Sequence, residues 1–285
     1  MTTEFHSGRR DFIKKSGLLA TAISLGAAPG ITSNAQESER LVKVGWIGTG
    51  GRGCHLMRKV VKLPNVSVEA VCDIYPPILE QGVKYSANPN VRQYKNYEEM
   101  LDKEKEIDCC IVTTPLHWHA PHSIAAMQAG KHVFCEKTMT RTIEEANEMV
   151  KVSRSTGKFV QVGLQRRYSP IYRKAIHMIF NEGLLGRITL IRCQWHRNYI
   201  WRREVDRDWP TGIDVSECKK YYDSHWKMRN WRLYWEYSGG LMTELGSHQL
   251  DVCSWALGSH PTAVTGVGGN DYWKDGREVF DNVQV

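Results

Sequence analysis

Val42-Lys43-Val44-Gly45-Trp46-Ile47-Gly48-Thr49-Gly50-Gly51-Arg52-Gly53 is an apolar strand running directly into G-x-G-x-x-G. Each glycine has its own reason in that pattern. Gly48 permits the tight turn from strand to helix, Gly50 lets the backbone approach a pyrophosphate, and Gly53 lets the helix lie close to the strand. The unpaired N–H groups from Gly50 through Gly51 and Arg52 to Gly53, at the positive end of a helix dipole, suit a bound anion. Asp73 closes a second strand, Val66 to Cys72, where a carboxylate can accept hydrogen bonds from ribose hydroxyls. Ile74, Tyr75 and Pro76 follow it and offer no cation for a 2'-phosphate, so the expected cofactor is NAD rather than NADP.

Outward from this motif, strands and helices alternate over residues 40–163, as in a doubly wound parallel sheet. Val91 to Tyr94, Ile107 to Val112, His132 to Cys135 and Phe159 to Leu164 read as further strands. Asn96-Tyr97-Glu98-Glu99 and Thr142-Ile143-Glu144-Glu145 read as helix starts, the second a capping box whose helix runs to Gly157. A second domain is expected over residues 164–285. Its first helix begins at Ser169-Pro170, and the alternation of Ile188 to Trp195 predicts a strand of a different sheet. Residues 195–237 hold six of the chain's ten tryptophans with little periodicity, and long irregular segments in compact domains usually carry function. Val279 to Val285 reads as a strand, and the expectation is either a terminal edge strand or a domain incomplete at its C-terminus.

The N-terminus carries Arg9-Arg10-Asp11-Phe12-Ile13-Lys14-Lys15, an apolar run from Gly17 to Ala28, and Ser33-Asn34-Ala35 as a small-residue cleavage candidate. Residues 1–35 are therefore expected to be a twin-arginine signal peptide, with the export machinery as a partner and the periplasm or exterior as destination. No cysteine precedes Cys54, which argues against a lipid anchor at the signal junction, and no later run is long enough to predict a membrane span. The twin-arginine route resembles one for proteins that fold around a cofactor before export. An exported dinucleotide protein would then load NAD in the cytoplasm and hold it tightly.

The formal net charge of +7 is too small to argue for nucleic acid, and the arginines of the aromatic segment alternate with Glu204, Asp206, Asp208, Asp214 and Asp223. The eight cysteines show no C-x-x-C and no metal spacing, so most are expected as buried free thiols. His117, His119 and His122 share one loop and helix start without an acidic or cysteine ligand, a poor zinc pattern. No metal is expected.

Two clusters could carry chemistry. Glu136-Lys137-Thr138 follows the fifth strand, at the sheet edge where ligands of such folds bind. A lysine there can stabilise a developing alkoxide, and burial lowers its pKa toward a useful value. Ser238 to Asp251 opens a helix that would stack Glu244, His248 and Asp251 at i, i+4 and i+7, giving an imidazole flanked by carboxylates. Read alone, each has a plain alternative: a surface lysine paired with Glu136, and a core histidine in a capped helix.

Taken together, Gly48 to Gly53, Thr114-Pro115 with His119, Glu136-Lys137, Gly163 to Arg167 and the Gly239 to Asp251 helix resemble the Gfo/Idh/MocA oxidoreductases, in that order and over nearly all of the chain after the leader. The leader and Trp231 to Gly240 resemble an exported branch of that family. The resemblance implies an α/β fold in which the Rossmann domain is followed by an α+β domain with an open, mostly antiparallel sheet, assembled as homo-dimers or homo-tetramers. It implies cofactor contacts at Thr114, Pro115, His119 and Glu136, and catalysis by Lys137, Glu244 and His248, with His248 the first choice of base and Lys137 the second. Substrate contacts are expected at Trp118, Arg166, Tyr168, Trp235 and Asp251. Thr138 stands where the family motif has proline, and Glu244 where it has aspartate. The expected activity is NAD-dependent oxidation of a carbinol in a sugar, polyol or glycoside with internally recycled cofactor. The alternatives are a redox-neutral glycosidase or epimerase, and an inert carbohydrate-binding protein on the same fold.

Overall fold

The computed structural model describes residues 40–196 and 201–285, so the leader, residues 1–35, lies outside the described residues. Six strands form one parallel sheet: β1 (Val42–Ile47), β2 (Val66–Cys72), β3 (Arg92–Tyr94), β4 (Cys109–Val112), β5 (His132–Cys135) and β6 (Val160–Val162), in the order β3-β2-β1-β4-β5-β6. The order reverses beside β1, and that switch point opens the crevice at the C-terminal strand ends. The chain runs helically between them through α1 (Gly51–Val60), α2 (Pro76–Tyr85), α3 (Tyr97–Lys103), α4 (His119–Gln128) and α5 (Ile143–Thr156).

Continuous apolar strands are what a sheet covered on both faces requires. Ile47, Cys72, Val112, Val133 and Cys135 pack with Met100 and Met127 in one cluster, while Val44, Trp46, Val68 and Val71 pack with Met57 and Leu79 in another. Each fully buried aliphatic side chain contributes about 1.5–3 kcal/mol against exposure. Local signals set the helix ends. Asn96 accepts from the Glu99 N–H at 2.9 Å, Thr142 and Glu145 form the reciprocal capping box, and Gly157 ends α5 in the left-handed conformation at φ 67°.

Beyond β6 come α6 (Pro170–Phe180), two short helices, α7 (Ser216–Lys219) and α8 (His225–Arg229), and α9 (Ser247–Leu257). A two-stranded antiparallel sheet joins β7 (Val267–Gly269) to β8 (Asn282–Gln284), so the strand expected near the last residues is present and paired. Ile188 to Trp195 forms no strand. The alternation is there, but no described strand lies alongside to complete a ladder, and Leu190 is exposed. No helix among the described residues is long and apolar enough to cross a membrane.

Candidate active site

The turn after β1 has the steric character its glycines imply. Gly48 has φ +90°, and a Cβ there would meet the Thr114 backbone nitrogen at 2.7 Å. A Cβ on Gly53 would meet the Gly48 carbonyl oxygen at 2.2 Å, whereas one on Gly50 would meet nothing within 4 Å. The last glycine thus serves packing, and the middle one keeps a space clear. α1 starts there with no side-chain cap and no acidic residue in its first turn, leaving its N–H groups to an anion. Gly48, Gly50, Gly51, Arg52, Thr114 and Pro115 line a cavity of ≈ 460 Å³ that extends to Asp73. Asp73 accepts from the Thr49 N–H at 2.9 Å and the Tyr75 N–H at 3.0 Å. Burial raises its pKa, against the lowering effect of those bonds. An open cradle at a helix N-terminus, with a fixed carboxylate at the end of β2, fits a dinucleotide.

The far wall of this cavity comes from the irregular aromatic segment. Val215, Cys218, Tyr222, Met228 and Tyr237 pack on Tyr75, with Ile74, Ile78 and Trp231 alongside. The Cys218 thiol, buried, donates to the Ile74 carbonyl at 3.1 Å. Arg203, Arg229, Trp231 and Arg232 line the cavity from that side. Sequence reasoning did not place these arginines at the cofactor, because they lie far along the chain in a stretch without periodicity. Trp118 lines the cavity too, stacked on His122 at 5.0 Å and edge-on to Tyr221 at 4.9 Å. Burial, and then the charges of His119 and His117, push the His122 imidazole down to about 3.

Lys137 follows β5 and forms a cis peptide bond with Thr138. Its ammonium donates to the Glu244 backbone carbonyl, and the Thr138 hydroxyl donates to the Thr243 carbonyl at 2.6 Å. These acceptors belong to a π-helical turn, Met242–Gly246, that precedes α9, and wide turns of this kind often occur at functional sites. The Glu244 carboxylate accepts from Arg232 Nε at 3.1 Å, a partner that simple helical stacking against His248 does not anticipate. Burial lowers the Lys137 pKa, and the Arg232 and Arg52 charges act in the same direction. His248 is buried, stacked on Trp195 at 5.9 Å. Burial first, then the positive charges of Lys137, Arg166 and Arg52, bring its pKa to about 4. Lys137 and His248 therefore face the same charged region, where the Lys137 charge helps hold the imidazole pKa down.

Several residues expected as contacts lie outside the lining of this cavity. His119 does not line the cavity: Nδ1 meets the Thr138 carbonyl at 2.7 Å and Nε2 the Thr114 carbonyl at 3.0 Å, which binds the lysine turn to the loop after β4. Burial works against charge there, but the Cys135 sulfur and the two carbonyls outweigh it and raise the pKa to about 9. Glu136 is buried and holds Arg52, whose Nε lies 2.8 Å from it, so it bears on the cavity through that arginine. Asp251 accepts from Arg167 at 2.8 Å, and Arg166 lies over the Trp195 ring at 4.9 Å. Tyr168 is exposed, and Trp235 sits edge-on to Phe280 at 6.0 Å, away from the cavity. Lys137 and His248 also lie outside the cavity lining. The Arg52–Glu136 and Arg232–Glu244 ion pairs connect the two regions.

The sheet order, glycine turn and terminal aspartate define a Rossmann-type dinucleotide-binding protein. Residues 42–164 match the GFO/IDH/MocA oxidoreductase family, NAD-binding Rossmann fold, and residues 172–285 match the GFO/IDH/MocA C-terminal domain. The chain belongs to the GFO/IDH/MocA oxidoreductase family. Among curated relatives, a glycosyl hydrolase family 109 protein of Parabacteroides distasonis is 32% identical over 259 residues, covering 79% of this chain and 54% of the relative. An alpha-N-acetylgalactosaminidase of Tannerella forsythia is 32% identical over 213 residues, 67% of this chain and 45% of the relative. The chain thus spans about half the length of these relatives. Among solved structures, the WlbA dehydrogenase of Chromobacterium violaceum, in complex with NADH and UDP-GlcNAcA, aligns with TM-score 0.64 and 25% identity over 90% of this chain and 64% of that one.

Proposed function

We propose that this protein uses a tightly held NAD to oxidise a carbinol carbon of a sugar or glycoside, and that it does so after export by the twin-arginine route. The observation that carries the chemistry is the Lys137 ammonium, desolvated and fixed on the Glu244 carbonyl in the same charged region as a neutral His248. Gly48 to Arg52, Asp73, Thr114 and Pro115 would hold the dinucleotide. Asp73 favours free ribose hydroxyls over a 2'-phosphate. When bound, the nicotinamide supplies the hydride acceptor.

The protein's own groups manage the proton. Lys137 donates a hydrogen bond to the reacting oxygen and stabilises the alkoxide character that develops there. His248 receives the hydroxyl proton. Its low pKa is no obstacle, because an oxygen turning into a carbonyl becomes far more acidic as the carbon loses hydride. Mixing purified protein with a panel of sugars and glycosides and following reduced-nicotinamide absorbance tests this directly. A keto-sugar or a transient absorbance supports it. Saccharide binding without either would leave an inert binding protein.

A second reading is favoured by the names of the relatives, which are glycosidases. With a ketone in the ring, the neighbouring C–H is acidic, and a base can remove that proton while the glycosidic oxygen leaves as an alcohol. Water then adds and the ketone is reduced again, so the net reaction is hydrolysis without loss of electrons. Incorporation of solvent deuterium beside the oxidised carbon, accompanied by a released sugar, separates this reading from simple oxidation. Detecting the processed protein in the periplasmic fraction, with Arg9→Lys/Arg10→Lys retained in the cytoplasm, tests export.

A further inference from the structure

The wall opposite the glycine turn brings three arginines, Arg203, Arg229 and Arg232, to the cavity, where Asp73 feels the Arg229 charge. Arg232 is paired with Glu244, but among the described residues neither Arg203 nor Arg229 forms an ion pair. Arg229 lies over the Tyr75 ring at 5.3 Å. Arg203 Nη2 comes within 3.9 Å of the position a Gly51 Cβ would take, at the first residue of α1. Burial and the charges of Arg229 and Arg232 lower the pKa of the Arg203 guanidinium. Like charges gathered beside a helix N-terminus repel one another unless an anion joins them.

The backbone of Arg203 is also deliberately held. The side chain of Asn230, buried at 2% exposure, accepts from the Arg203 N–H at 2.6 Å and donates to the Arg203 carbonyl at 3.1 Å. A buried amide spending both ends on one residue fixes where that residue's side chain starts. Residue 203 belongs to the segment that packs on Tyr75, not to the Rossmann sheet, so the charge arrives from the second half of the chain.

We propose that Arg203, positioned by Asn230, is a ligand of the dinucleotide's pyrophosphate, gripping it from the side opposite the glycine turn. This rests on the dinucleotide reading above and adds to it a residue outside the glycine motif. The phosphates would then be held between the N–H groups of α1 and a guanidinium fork, an arrangement that slows release of the cofactor without any contact to its reactive ring.

Calorimetric binding of ADP and of adenosine to the full chain, stripped of nucleotide, tests the assignment. Arg203→Gln should weaken ADP binding about ten- to a hundredfold, the scale of one charge-assisted hydrogen bond, and leave adenosine within about threefold. Asn230→Ala should lose ADP affinity in the same sense, and Arg203→Lys should lose less than Arg203→Gln. An unchanged melting temperature of nucleotide-free Arg203→Gln establishes that the fold is intact. Wild-type protein that binds ADP no better than Arg203→Gln does overturns the assignment and leaves the dinucleotide reading standing. Wild-type protein that binds neither NAD nor ADP overturns both.

Discussion

The Lys137 ammonium donates to the backbone carbonyl of Glu244, a contact joining residues 107 positions apart. It ties the turn after the fifth strand of the Rossmann sheet to a widened helical turn four residues ahead of His248. The acceptor lies within the π turn Met242–Gly246, where the backbone departs from the regular i to i+4 pattern.

Removing either member of the proton-handling pair should abolish turnover and spare the cofactor. Lys137→Ala and His248→Ala are each expected to reduce turnover by about a hundredfold or more, the scale of a general acid or base. Both lie outside the dinucleotide cavity lining, so bound NAD should remain near the wild-type level. Nucleotide released on denaturation and the rate are measured on the same sample. A variant with most of its activity takes its residue out of the mechanism.

Two glycines three positions apart should fail in opposite ways. Gly53→Ala places a methyl group 2.2 Å from the Gly48 carbonyl and should lower the melting temperature of the nucleotide-free protein. Gly50→Ala has room, at φ −61°, and should leave that temperature unchanged while removing dinucleotide affinity, because the methyl enters the space the phosphates need. Thermal melts and NAD titration of both variants decide the matter. Intact NAD affinity in Gly50→Ala would contradict the cradle.

Stability should peak slightly on the acid side of neutrality. His119, raised from 6.5 to about 9, binds a proton more readily in the folded state, so its contribution is complete below 6.5 and is lost as pH rises toward 9. His117, lowered by burial to about 4, and His248, also at about 4, act in the other direction: stability falls as pH drops from 6.5 toward 4, because the unfolded chain takes up those protons. Each is worth on the order of 1–3 kcal/mol. Denaturant melts across pH should show His119→Gln losing the alkaline slope and keeping the acid one; an unchanged alkaline slope would show that His119 is neutral when folded.

Protein produced with its leader should carry NAD through purification at close to one molecule per chain. The expectation rests on Asp73 and on a cavity walled from both halves of the chain. Mass spectrometry of the denatured supernatant identifies the nucleotide. NADP in its place would mean that Asp73 does not select the ribose, and nucleotide-free protein with no affinity for either would contradict the retention argument.

What could be read from the sequence was local in cause. The glycine turn, Asp73, the Asn96 cap and the Thr142–Glu145 box depend on residues a few positions apart, and one chain shows them directly. The fate of His119 was not local. A histidine after a Thr-Pro loop looks the same whether it faces a ligand or bridges two carbonyls, and only the meeting of Thr114 with Thr138 decides between them. The direction of the Glu244 carboxylate was hidden for a similar reason. Helical spacing aims its carboxylate at His248, but the π turn changes the register and Arg232 takes it. Arg203 had no signal at all beyond lying in an aromatic stretch. Asn230 meets the Arg203 backbone only once the fold brings residues 27 positions apart together, so their pairing is a property of the cavity wall rather than of either residue's neighbours in the chain.

The packing of Cys218, Tyr222 and Met228 against Tyr75 has a bearing on the order in which the protein is made. A ribosome delivers the glycine turn and Asp73 well before residues 203–237, so the growing chain can display an open groove to which a nucleotide has free access. Once the later segment settles on Tyr75, the groove gains its second wall and its guanidinium groups. Access from the sheet side and enclosure from the later wall thus draw on different stretches of the chain, and the second is complete only when the first is already in place.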